Sequence, residues 1–145
     1  MKLSTKGRYA MVALVDLAQQ PDGALTSLGD ISGRQDVSLP YLEQLFVKLR
    51  RAGLVDSVRG PGGGYRLARA PSEIRVSDVL EAVDETVSAM HKGAGASGGL
   101  SGSRAQSLTN RLWEGLSAHV YVYLHQTRLS DFLGNDLTPC PAVPS

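Results

Sequence analysis

The chain has 145 residues, 42% of them hydrophobic and 20% charged, enough for one compact domain or for a small domain with a helical extension. No apolar run approaches the roughly 20 residues a bilayer span requires, and Met1-Lys2-Leu3-Ser4-Thr5-Lys6-Gly7 lacks the apolar stretch of a secretory leader, so a soluble, cytoplasmic protein with no membrane partner is expected. The single cysteine, Cys140, excludes an intramolecular disulfide and cannot by itself supply a four-thiolate metal site. Charge is unevenly spread: residues 1–75 hold 11 basic and 7 acidic side chains, a net of +4, against 4 and 7, a net of −3, in residues 76–145. The amino-terminal half is suited to a polyanion and the carboxy-terminal half is not.

Ala10, Ala13, Leu14, Leu17 and Ala18 recur at helical spacing and predict an amphipathic helix from about Ser4 to Gln19, stopped by Pro21-Asp22-Gly23. A short second helix is expected over Ser27–Ser32, capped by Thr26 or Ser27, with Gly33 to Val37 as a turn. Ser38 reads as the N-cap of a third helix, because Pro40 falls in the first turn where a missing N–H costs little. In that helix Leu42, Leu45, Phe46 and Leu49 share one face, Pro40, Glu43, Gln44, Val47 and Arg51 share the other, and Gly53 supplies the carboxy-terminal cap.

Leu54–Arg59 and Tyr65–Arg69 read as two short strands joined by Gly60-Pro61-Gly62-Gly63-Gly64. A helix around Val76–Val83, capped by Ser77 or Asp78, comes next. The segment from Gly93 to Ser103 is nearly all Gly, Ser and Ala and is expected to be a mobile loop. A long helix from about Arg104 to Gln126 then carries Leu108, Leu112, Leu116, Val120 and Leu124 at i+4 spacing over roughly 35 Å, followed by a short helical turn at Leu129, Phe132 and Leu133. A protruding apolar helix of this length calls for a partner surface, and a two-fold homodimer seam is the expected one, with an intramolecular core helix as the alternative. The expected division is residues 1–75 as a basic unit of helices and hairpin, 76–137 as a loop with the dimerisation helices, and a proline-rich tail at 138–145.

Three helices, the third with a polar outer face, and then a hairpin are the order of a winged helix-turn-helix; the fold class expected is mainly α with a two-stranded wing. A helix of this width enters the major groove of double-stranded DNA, and a glycine-rich wing tip lets Arg59 approach a minor groove or a phosphate. The Gly60–Gly64 run is no phosphate-binding loop of the nucleotide-hydrolase kind, having neither a following Lys-Ser/Thr nor a helix after it. Enzyme chemistry is not expected: no Gly-x-Ser-x-Gly or reactive-cysteine context is present, and Glu81, Asp84 and Glu85 suit a solvated helix end. The competing class is an interaction protein that uses the winged fold as a docking surface.

Leu3-Ser-Thr-Lys-Gly-Arg-Tyr-Ala10, Ser38-Leu-Pro-Tyr-Leu-Glu-Gln-Leu-Phe46, Leu54-Val-Asp-Ser-Val-Arg-Gly-Pro-Gly-Gly-Gly-Tyr65 and Val83-Asp-Glu85 closely resemble the IscR-type iron–sulfur cluster regulators, within the Rrf-type winged-helix transcription factors. The resemblance implies a homodimeric regulator, often a repressor, of iron–sulfur biogenesis genes on a near-palindromic operator. It implies DNA contacts from Tyr41, Glu43, Gln44 and Arg59, with Arg51 on the same helix face, and a wing tip formed by Gly60, Gly62, Gly63 and Gly64. Pro40 replaces a serine common in the family. The resemblance also implies a 2Fe-2S cluster held by three cysteines and a histidine, yet here the loop is Gly/Ser-rich and the third-cysteine and histidine positions read Ser107 and Asn110. Either a cluster is held unusually, by Cys140 with His91 and weaker candidates His119 and His125, or the protein binds none. His119 and His125 are six residues apart, about 600° around a helix, and do not project together.

Overall fold

The computed structural model describes residues 5–83 and 103–134. The expectations for the Gly/Ser segment up to residue 102, His91, the Asp84-Glu85 pair, the tail and Cys140 lie outside them.

Helix α1 spans Thr5–Ala18 and buries Ala10, Ala13, Leu14 and Leu17, the stripe its periodicity predicts. Helix α2, Leu28–Gln35, is capped by Ser27, whose side-chain oxygen accepts from the Asp30 N–H at 3.0 Å. It runs three residues beyond the expected end and takes in Gly33, expected to be turn. The physical reason is tertiary: Arg34 and Gln35, in its last turn, both bond the buried Asp16 carboxylate of α1. The helix ends at Asp36, which is left-handed at φ 54°. Thr26 is not the cap; its N–H and C=O bond Tyr65 at 2.9 and 2.8 Å, a bridge beside the hairpin.

Helix α3, Leu39–Arg51, begins as expected with Ser38 accepting from the Tyr41 N–H at 3.3 Å and Pro40 in the first turn. Its far end closes through paired bonds from Gly53 N to Arg50 O at 3.0 Å and from Leu54 N to Leu49 O at 3.1 Å, with Gly53 at φ 77°. Lys48, Arg50 and Arg51 in the last turn complement the negative end of the helix dipole. Strands β1, Val55–Val58, and β2, Gly64–Leu67, pair antiparallel in the register Val55 to Leu67 and Val58 to Gly64. Both are shorter than expected, although Ala68 N still bonds Leu54 O at 3.0 Å.

A single 3-10 turn at Pro71–Glu73 leads into α4, Val76–Ala82. Neither Ser77 nor Asp78 sits at its cap position: that place belongs to Arg75, whose N–H is taken by the Asp78 carboxylate at 3.1 Å, while Ser77 is buried within the helix. Helix α5, Arg104–Gln126, has the expected limits; its start is set by a reciprocal capping box between Ser103 and Gln106 at 3.1 and 3.3 Å. None of its residues is buried. Helix α6, Leu129–Leu133, returns the chain to the core: Leu129 N bonds Ile74 O at 3.0 Å, Val76 N bonds Thr127 O at 2.9 Å, and Leu129 is fully buried.

One core joins α1, α2, α3, β1, α4 and α6 around Phe46, Leu14, Ile31, Leu42, Ile74 and Val79. Residues 76–83 and Leu129 therefore pack with the amino-terminal unit, and α5 stands apart from it. The result is mainly α with a two-stranded wing.

Candidate nucleic-acid interface

The inward face of α3 consists of Leu42, Leu45, Phe46 and Leu49, all buried, so the core dictates which side chains point away. Pro40, Glu43, Gln44, Val47 and Arg51 are exposed as a single stripe at i, i+3, i+4 spacing. None of Glu43, Arg51 and Arg59 enters an ion pair among the described residues. Acceptors, amide, apolar surface and guanidinium are thus presented together, a set that can address base edges and phosphates.

Tyr41 is placed differently. It is half-buried against the core, its ring meets Tyr9 of α1 edge-on at 5.6 Å, and its hydroxyl is buried with no partner among the described residues. In this geometry Tyr41 braces α3 against α1 rather than joining the outward stripe.

The wing is held to α3 by Tyr65 of β2, whose ring meets Phe46 edge-on at 4.9 Å. Its tip needs glycine for two separate reasons. Gly60 and Gly62 lie at φ 104° and 74°, where a side chain is strained. At Gly63 and Gly64 the backbone comes too close: a Cβ on Gly63 would collide with the Val58 carbonyl oxygen, and one on Gly64 would sit 2.7 Å from Thr26 O. Arg59, at the end of β1, is exposed at the base of this tip.

Two features escaped the sequence reading. Arg34 Nε and Nη2 donate to Asp16 at 2.9 and 2.6 Å, and Gln35 Nε2 adds a bond at 2.8 Å. The Arg34 hydrogen bonds hold the Asp16 carboxyl below its ordinary value, against the opposing effect of burial. A signal existed, an aspartate inside the apolar stripe of a helix, but its partner lies in the next helix. The Thr26 bridge to Tyr65 gave no local signal at all.

Of the metal candidates, His119 and His125 lie among the described residues, and they are not brought together there. His125 is engaged in holding α5 to α4: its Nδ1 lies 3.2 Å from Ser77 Oγ, its carbonyl accepts from Arg75 Nη1 at 2.7 Å, and its ring stacks on Tyr121 at 5.5 Å. His119 is exposed elsewhere on α5. Among the described residues no three His, Cys, Asp or Glu side chains converge to hold a metal. Ser107 and Asn110 offer a hydroxyl and an amide, hard donors unsuited to iron–sulfide, so the described residues do not fit an iron–sulfur cluster. Among the described residues no helix is long and apolar enough to cross a membrane.

Comparison with known proteins agrees with this geometry. The profile of Rrf2, an iron-dependent transcriptional regulator family, matches residues 3–135. The HTH-type transcriptional regulator IscR of Cereibacter sphaeroides is 76% identical, over 100% of this chain and 95% of that one. The HTH-type transcriptional regulator IscR of Aliivibrio salmonicida is 50% identical over 92% of this chain and 77% of its own. Among solved structures, the global cysteine regulator CymR of B. subtilis superposes with a TM-score of 0.79 at 32% identity, covering 93% of this chain and 98% of that one. T. potens IscR gives a TM-score of 0.73 at 35% identity over 98% and 94%.

Proposed function

The chain belongs to the Rrf2 family of iron-dependent transcriptional regulators, and from that premise we propose that it is a homodimeric repressor of iron–sulfur cluster biogenesis genes, reading a near-palindromic operator with α3 and the wing. The observation that carries this reading is the exposed stripe of Glu43, Gln44, Val47 and Arg51 beside Arg59, on the half of the chain with net charge +4. Glu43 and Gln44 supply base contacts, Arg51 and Arg59 supply phosphate or minor-groove contacts, and Tyr41 fixes the angle of α3.

Dimerisation runs through α5. Leu108, Leu112, Leu116 and Tyr123 are exposed, which leaves an apolar face on a helix of 23 residues. A second copy of the same helix covers it with self-complementary chemistry and sets two copies of α3 against two operator half-sites.

Titration of the full chain against operator and random duplexes at several salt concentrations tests the assignment. Log K falls with log salt by about 0.9 for each phosphate neutralised, and the operator retains an advantage at every salt concentration. A salt-independent affinity would favour a docking role for the winged fold instead.

The iron input follows a different route from a three-cysteine cage. A cluster in this chain draws on Cys140 and His91; the second reading is a regulator that binds no cluster and answers another signal. Anaerobic purification with iron and sulfide analysis, on wild type and Cys140→Ala, separates the two. Iron and sulfide that vanish in the variant support the first, and iron-free protein from both supports the second.

A further inference from the structure

Val47 lies in the middle of the outward stripe of α3, one helical turn from Glu43 and Gln44 on one side and from Arg51 on the other, and it is 39% exposed. Folding gives little reason for valine there. Leu45, Phe46 and Leu49 fill the interior, so Val47 does not complete the core, and a β-branched residue is a poorer helix former than the alanine, lysine or glutamate usual at an exposed position. An isolated apolar side chain is unremarkable on a free surface, but this one is flanked by the groups that face DNA.

On the reading of α3 given above, on which this inference rests, the occupant of that face is the major groove. Charge complementarity supports it, since Lys48, Arg50 and Arg51 crowd the same end of the helix. Base edges in the major groove are hydrogen-bond donors and acceptors with one exception, the C5 methyl of thymine. A polar base edge against Val47 would lose water and gain no partner, whereas a methyl group loses nothing by being covered. We propose that Val47 determines specificity by packing its two methyl groups on the C5 methyl of one thymine in each operator half-site. The neighbouring Glu43 carboxylate requires a donor, the amino group of cytosine or adenine, so one of these bases stands close to that thymine.

The test uses the full chain and a duplex selected by it from randomised DNA. Each thymine is replaced in turn by deoxyuridine, which removes only the methyl, and wild type and Val47→Ser are titrated on every duplex. Serine and valine have similar helix propensities and the position is exposed, so the thermal midpoint stays unchanged. Wild type is expected to lose about fourfold in affinity at one thymine per half-site, the equivalent of ~0.8 kcal/mol for one buried methyl. Val47→Ser loses nothing from the same replacement. Equal losses in both proteins, or no thymine whose methyl matters to wild type, would overturn the proposal. Failure to select any duplex over random DNA overturns the reading of α3 itself, and shows at the first step.

Discussion

Arg34, in the last turn of α2, holds the carboxylate of Asp16 in a two-pronged grip at 2.6 and 2.9 Å, and Asp16 is only 2% exposed. Through this pair the first helix, which forms one wall of the core, sets the orientation of the helix that precedes α3. Gln35 completes the arrangement.

Arg34 chiefly, with Gln35 adding to it, keeps the Asp16 carboxyl below its ordinary value. A group with a lowered folded-state value contributes stability that is full above the unfolded value, about 3.9, and is lost as pH falls through the folded one. Asp16→Asn removes the charge and is expected to cost roughly 2 kcal/mol at pH 7. The difference between variant and wild type should shrink steadily as pH drops below about 4. Urea midpoints at pH 7, 4 and 3 check it, and a constant difference would show that the charge is not what matters.

On the proposed reading, the wing and the outward stripe of α3 do different work. Arg59→Ala is expected to weaken binding to operator and random DNA alike and to reduce the salt slope by about 1. Glu43→Ala should relax base preference more than it lowers affinity. Electrophoretic titration on both duplexes reads the two effects, and variants indistinguishable from wild type would remove these residues from the interface.

Gly63→Ala forces the wing turn open, because the new Cβ meets the Val58 carbonyl oxygen. The damage is local to the tip. Affinity for DNA should fall several-fold while the cooperative thermal transition of the core persists, shifted by the ~1–3 kcal/mol that local backbone strain costs.

Leu112 is 61% exposed on the apolar face of α5, with Leu108 and Leu116 one turn to either side. Leu112→Glu places a charge in the proposed seam and is expected to convert the dimer to monomer in sedimentation equilibrium, with operator affinity falling by at least tenfold. A variant that remains dimeric moves the seam elsewhere.

Much of the fold was legible because it is decided within three or four residues. The start of α5 follows from Ser103 and Gln106, the start of α3 from Ser38 and Pro40, and its outward stripe from the period of its leucines. The family likeness was legible for the same reason, residing in continuous segments of α1, α3 and the wing. The packing of Tyr41 was not: only the placement of α1 beside α3 sets its ring against Tyr9.

By itself, then, the sequence determined most of the elements, the wing, the outward stripe of α3 and the presence of a single cysteine, since each rests on local spacing or on the presence of a side chain. Tertiary structure alone decided what bridges long separations. Asp16 reaches Arg34 across 18 positions and Arg75 reaches the His125 carbonyl across 50. The first extends α2 beyond its glycine; the second commits His125 to joining α5 to α4. Such contacts form only when the chain has closed on its core, because the entropy of closing a long loop is met by burial elsewhere and leaves no periodic mark in the sequence.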